Sequence, residues 1–441
     1  MPRSVSAPGA TRAAGSLPYP EKRIGTVNEE MPFDHIVVVM MENHSFDNLL
    51  GALSRTRRDV CGLTFDEKGK ATNSNPGADG AAGDVRAFPL PNTAQAKHVT
   101  QQWKATHEQI NGGAMDGFVR SASGNAEPMG YYTPEVLPFA YSLASTFTLA
   151  NRWFCSVAGP TYPNRRFLLA GSAYGGTVTD GKALLESPPN GTILDRLSDN
   201  QISWTNYFTD VPMTATIAWN FLKHIGHDHH RPIDAFFADC QAGSLPAVSF
   251  VNPAMGLLSS IASSIAALPE VVRKEIERLG PPSETEETPG DMYYGEAWAH
   301  RVVEAVLRSP AWSRALLIYT YDEHGGYYDH VPPPPAILPD DIPPNLKSGE
   351  SGDYGMYGPR VPAVVVSPYS RPGGVSNVVH DHTSILATIE AKWNLPALTN
   401  RDANAATVMD FLDLDNAALL SPPSWRAPSE TGPSGPVNQA S

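Results

Sequence analysis

The first continuous apolar run in the chain is His35–Met41 (HIVVVMM). Its shortness and valine content predict a strand buried on both faces of a parallel sheet rather than a helix. It leads into SFDNLL at residues 45–50, a helical start that Asn43 or Ser45 is placed to cap and Gly51 to close. Further apolar runs predict strands at residues 202–208, 247–251 and 361–366, and at Ala315–Tyr321 (ALLIYTY), the clearest of them. Helical spacing recurs between them, at residues 296–308 and 384–393. Strands alternating with helices predict an α/β fold with a mostly parallel central sheet and helices on both faces. Residues 31–420 read as a single domain. Residues 1–30, rich in Pro, Ala, Gly and Ser, read as a disordered or loosely packed lead-in, and residues 421–441 as a disordered tail.

Composition narrows the partners. The chain has 441 residues and a formal net charge of −14. An acidic surface repels nucleic-acid phosphates and offers no polybasic attraction to anionic membranes, so membrane contact is expected to be peripheral at most. The 41 prolines point to ordered turns and long loops, such as the Gly-, Asn- and Asp-rich stretch from about residue 55 to 92. Three widely spaced cysteines, Cys61, Cys155 and Cys240, exclude both a disulfide framework and a cysteine-rich zinc site. There is no apolar run of transmembrane length and no apolar core to the N-terminal segment, so the expected compartment is the cytoplasm, with export by another route left open.

Open parallel sheets bind ligands at the carboxyl ends of their strands. Glu42 and Asn43 follow the first strand, and Asp322 and Glu323 follow ALLIYTY. Either pair alone reads as a strand-end cap. On neighbouring strands they would bring three carboxylates and an amide oxygen together, which calls for one divalent cation whose identity the sequence leaves open. A third element is Gly159-Pro160-Thr161-Tyr162-Pro163-Asn164-Arg165 ahead of a helical run. Thr161 is placed either as a helix cap or as a hydroxyl at the positive end of the helix dipole, where a phosphoryl oxygen binds; Arg165 adds a charge-assisted contact.

The segments ENHSFDN (42–48), GPTYPNR (159–165), DEHGGYYDH (322–330), GPRVPAVVVSP (358–368) and DHTSI (381–385) resemble, in order, those of the bacterial and plant phosphoesterases. That family contains non-specific phospholipases C and acid phosphatases and has an alkaline phosphatase-like fold. The resemblance implies Thr161 as nucleophile and Glu42, Asn43, Asp322 and Glu323, with Thr161, as metal ligands. It implies Asn43 as a metal or phosphate ligand and His98 as the acid that protonates the leaving oxygen, with His107 as the alternative. Beside these, Arg165 is expected at the phosphate, and His382 either contacts phosphate or packs. His330, with His324, flanks the second acidic cluster as a phosphate contact or an orienting residue. The expected activity is that of a phospholipase C, releasing diacylglycerol and a phosphorylated head group through a phosphothreonine. A phosphomonoesterase and a non-catalytic phosphate-binding protein are the alternatives.

Two features stand apart from that resemblance. Where relatives carry a His-Pro pair, this chain has Thr288-Pro289, which removes one expected phosphate contact. Leu257, Leu258, Ile261, Ile265, Leu268 and Val272 recur at helical spacing, as an apolar lid or as a helix packed on the sheet.

Overall fold

The computed structural model describes residues 9–77, 83–95, 99–179, 186–217, 223–224, 229–255, 270 and 290–428. In chain order the principal elements begin with β1 (His35–Met41), α1 (Phe46–Leu50), α2 (Trp103–Ile110), α3 (Pro138–Thr146), β2 (Thr148–Ala150) and α4 (Thr161–Ala170). They continue with α5 (Ile193–Asp199), β3 (Trp204–Phe208), β4 (His230–Pro232), α6 (Ile233–Ala242) and β5 (Val248–Asn252). The last are α7 (Met292–Arg308), β6 (Ala315–Tyr321), β7 (Ala363–Val366), β8 (Val375–Ser376) and α8 (Thr383–Trp393).

The strands form one eight-stranded sheet in the order β8-β2-β7-β6-β1-β5-β3-β4. All pairs are parallel except those made by β7, which runs against both β6 and β2. Every residue of β6 is buried, and in β1 only His35 is partly exposed. Strands whose alternating side chains are all buried must be covered on both faces, which is why they read as unbroken apolar runs. This is the α/β architecture with a mostly parallel sheet.

The helices show the same link between sequence and packing. In α7 the residues Ala299, Val302, Val303, Val306 and Leu307 are buried at helical spacing, and Asp291 caps the start by accepting from the Tyr293 N–H at 2.9 Å. The helix begins earlier than the apolar pattern alone indicates, because the cap sets its start. Near α1 the Ser45 side chain accepts from the Asn48 N–H, and Gly51 follows the last helical residue.

Residues 9–30 differ from the loose lead-in expected of their composition. Gly15 N–H bonds the Ala397 carbonyl at 2.8 Å. The Asn394 amide donates to the carbonyls of Tyr19, Lys22 and Arg23. A polar segment is thus fixed by side-chain hydrogen bonds that composition does not report. Trp425, in the expected tail, packs on Phe139 and Phe147.

Candidate active site

The sheet register builds the site. β1 and β6 are adjacent and in step from His35 beside Ala315 to Met41 beside Tyr321. The next residues are therefore Glu42 and Asp322, with Asn43 and Glu323 one step beyond, and all four are buried. Asp322 Oδ1 accepts the backbone N–H of Asn43 at 3.0 Å and that of Glu323 at 2.7 Å. Asn43 takes a left-handed conformation, φ 63°, which Asn tolerates better than most residues. The turn after Glu323 needs glycine: a Cβ on Gly325 would lie 1.9 Å from the Asn43 carbonyl oxygen. The Asp322 carboxylate and the close backbone packing at Gly325 thus hold the two strand ends together.

Helix α4 points its first turns at that wall. Pro160 rather than Thr161 is its N-cap, and Thr161 is the first helical residue, 5% exposed. Among the described residues no hydrogen bond engages the Thr161 hydroxyl. The loop before the helix is held by the Asn164 side chain, which bonds the carbonyl of Gly159 at 2.9 Å and the N–H of Val157 at 3.1 Å. One turn after Thr161 on the same face, Arg165 reaches Glu42 Oε1 at 2.5 Å and Asp322 Oδ2 at 3.2 Å. Burial works against its charge, yet the two carboxylates raise its pKa above the ordinary guanidinium value. Arg165 therefore neutralises carboxylates, with its Nη1 buried without a partner among the described residues.

Two carboxylates, Glu42 and Asp322, meet this guanidinium, and the buried Glu323 follows Asp322 with its Oε2 accepting the Gly325 N–H at 2.7 Å. His382 adds no charge. Burial lowers its pKa, Nε2–H donates to the Asp322 carbonyl at 2.6 Å, and Nδ1 faces the Trp153 indole N–H at 3.5 Å. Its ring braces the Asp322 backbone from behind. His324, which burial lowers to about 3, turns Nε2–H toward Gln109 Oε1 at 2.7 Å and leaves Nδ1 3.5 Å from Glu323 Oε2. The Asn43 Oδ1 atom is buried with no hydrogen-bond partner among the described residues. Carboxylates gathered at two adjacent strand ends and an orphaned amide oxygen are the oxygen donors a divalent cation takes, so the donor set fits one.

His330 belongs to a different cluster. Its Nδ1 is 2.6 Å from Asp47 Oδ2 and its Nε2 is 3.7 Å from Cys61 Sγ. Asp47, Asp329 and His330 bring ligand-type atoms within 4.8 Å of one another. The Arg360 guanidinium already occupies that centre, bonding Asp329 through Nε at 2.9 Å and Nη2 at 3.0 Å, and Asp47 at 3.3 Å. His107 stacks on Trp103 with Nδ1 on the Trp103 carbonyl, an intrahelical contact away from the carboxylates. His98, Thr288, Pro289 and the apolar positions from Leu257 to Val272 lie outside the described residues. Sequence reasoning passed over Gln109, Asp47 and Arg360. The last two sat inside the motif segments, where a buried charge is the available signal.

The Phosphoesterase family profile matches residues 33–396. The chain belongs to the Phosphoesterase family. It is 30% identical to the non-specific phospholipase C6 of Arabidopsis thaliana over 88% of this chain and 74% of the relative. It is 29% identical to phospholipase C A of Mycobacterium tuberculosis over 97% of this chain and 84% of that protein. Among solved structures, a protein in the alkaline phosphatase superfamily from Vibrio parahaemolyticus is 12% identical, with 80% of this chain and 77% of that one covered at a TM-score of 0.35.

Proposed function

We propose that this phosphoesterase is a metal-assisted phospholipase C, cleaving a phospholipid or a small phosphate diester into an alcohol and a phosphorylated head group. The observation that carries the reading is the joined strand ends: three carboxylates and an orphaned amide oxygen beside the helix that begins with Thr161. The relatives named as phospholipases C support the diester over the monoester as substrate.

Thr161 attacks phosphorus and the ester P–O bond to the alcohol breaks. A positioned hydroxyl that forms a covalent intermediate divides one hard displacement into two easier ones. The N-terminal N–H groups of α4 and its dipole favour the negative phosphoryl oxygens at this place. Glu42, Asn43, Asp322 and Glu323, with Thr161, would hold a divalent cation, which lowers the hydroxyl pKa and offsets charge on the phosphoryl oxygens. His98 is assigned the proton that the departing alkoxide takes up. Arg165, pinned to Glu42 and Asp322, keeps α4 seated against the strand ends. Water then cleaves the phosphothreonine. Contact with a lipid surface is assigned to the periphery of the protein, and no helix among the described residues is long and apolar enough to cross a membrane.

The test is phosphocholine release from phosphatidylcholine by the purified protein, with a chelator control. Release lost on chelation supports the reading. Cleavage of an aryl phosphate monoester without phosphocholine release would move the protein to the phosphatase side of the family.

A further inference from the structure

Away from the carboxylate site, three side chains stand in the order of a thiol, an imidazole beside it and a carboxylate that orients the imidazole. Cys61 Sγ is 3.7 Å from His330 Nε2, and His330 Nδ1 is 2.6 Å from Asp47 Oδ2. Both ends are fixed. Asp47 Oδ2 also accepts the backbone N–H of His330 at 2.8 Å, and Asp47 Oδ1 faces Arg360. The Cys61 N–H donates to Asn151 Oδ1 at 2.8 Å, while its carbonyl accepts from Arg360 Nη1 at 2.8 Å. Cys61 is exposed, so a solute reaches the sulfur from solvent.

The charges around it complete the picture. Asp47 and Asp329 are opposed by Arg360 and His330, which leaves the imidazolium fully matched before the thiol ionises. Burial disfavours the His330 cation, but Asp47 outweighs it and raises the pKa to about 10. The contact with His330 draws the Cys61 thiol below its ordinary value, against burial and with help from Arg360. The other two cysteines are its internal contrast. Burial pushes Cys155 well up and Cys240 up to about 12.

We propose that Cys61 is a modification site, the nucleophile of a Cys61–His330–Asp47 array that reacts with small hydroperoxides. The thiolate sulfur attacks one oxygen of hydrogen peroxide, forming an S–O bond as the O–O bond breaks. Sulfur is oxidised to the sulfenic acid and the peroxide is reduced. The departing hydroxide takes the Nε2 proton of His330 and leaves as water. The sulfenic acid is then open to a thiol from solution, which returns it by way of a mixed disulfide. This assignment is independent of the proposed phospholipase activity.

The full-length protein is treated with hydrogen peroxide, the sulfenic acid is trapped with dimedone, and the three cysteine peptides are quantified by mass spectrometry. The adduct is expected on Cys61 and absent from Cys155 and Cys240, with a rate whose pH midpoint lies below that of an ordinary cysteine thiol. His330→Gln moves that midpoint up toward the ordinary thiol value and slows the reaction below it, and Cys61→Ser removes the adduct. The pH profile of the unaltered protein decides the matter if His330→Gln fails to fold. A rate climbing about tenfold per pH unit toward an ordinary thiol pKa of about 8.5 overturns the proposal. Protection of the thiol by one equivalent of zinc, reversed by a chelator, also overturns it and makes Cys61 and His330 metal ligands instead.

Discussion

Two arginines meet the same two chain segments, the one after β1 and the one after β6, with opposite results. Arg360 faces Asp47 and Asp329, and His330 completes the set, so two carboxylates meet two cations and their oxygens are hydrogen bonded. Arg165 bridges Glu42 and Asp322 from the first turns of α4. The balanced cluster is complete as it stands. In the other, Asn43 Oδ1 and Arg165 Nη1 are buried without hydrogen-bond partners among the described residues. Buried polar groups are normally satisfied, so the cluster that holds unpartnered atoms, and not the finished one, marks the place where a ligand belongs.

The largest expected effect separates the two by chemistry. Thr161→Ala should lower phosphodiester turnover by about a thousandfold or more, because it removes the attacking oxygen. The melting temperature should hardly move, since no described hydrogen bond to that hydroxyl is lost. Thr161→Ser should recover much of the activity. Full turnover by Thr161→Ala breaks the assignment of the unfinished cluster as the catalytic one.

Arg360→Leu should do the reverse. Removing one partner from a buried ion pair strands the others and costs about 3–5 kcal/mol. Asp47 and Asp329 would then share one imidazolium, and Asp329, which burial already pushes up, would take up a proton. The check is urea denaturation, with turnover measured per folded molecule. A loss of activity without a loss of stability would place Arg360 in the reaction and erase the contrast.

Much of this was legible in the sequence. The two apolar runs could be strands of one sheet, and the acidic pairs that end them marked a possible cation site. Adjacency was the missing fact, and it came from pairing across more than 270 residues, β1 with β6. The antiparallel course of β7 and the two-residue β8 left no trace in periodicity, because short strands carry too few alternations. Thr161 was legible as a helix-start hydroxyl, although the cap proved to be Pro160. The roles of Arg165 and His382 were less so. Both are polar residues in a motif, and only the folded chain shows Arg165 spent on carboxylates and His382 behind Asp322.

A third test asks whether the strand-end cluster binds a cation. A divalent cation that binds only the folded state should stabilise it by about 2.7 kcal/mol at a concentration about a hundredfold above Kd. Glu42→Gln and Asp322→Asn should each reduce that gain, while Asp329→Asn should leave it intact after correction for its own destabilisation. Thermal melts with manganese, calcium, magnesium and zinc, each against a chelated control, measure it. Equal stabilisation in all three variants would mean that the cation binds elsewhere.

Glu296 shows how a buried carboxyl fares with neither solution. It lies on α7 and accepts the N–H groups of Phe139 at 3.1 Å and Ala140 at 2.8 Å, capping the start of α3 from a neighbouring helix. Among the described residues it has no cationic partner. Burial raises its pKa from 4.5 to about 8, although those two hydrogen bonds pull the other way. Its proton is therefore retained in the fold at a pH where the unfolded chain has lost it. The stability contributed by the protonated form is fully present below about pH 4.5 and declines as pH rises through about 8. Glu296→Gln keeps the shape of the neutral acid and cannot ionise. Its stability relative to the unaltered protein should thus improve between about pH 4.5 and 8, by a few kcal/mol at most, since each tenfold change in proton affinity is worth about 1.4 kcal/mol. Paired urea titrations across that range read the difference directly. A constant offset would mean that Glu296 is ionised in the fold, with the helix N-terminus alone supplying the counter-charge that arginine supplies to Asp329.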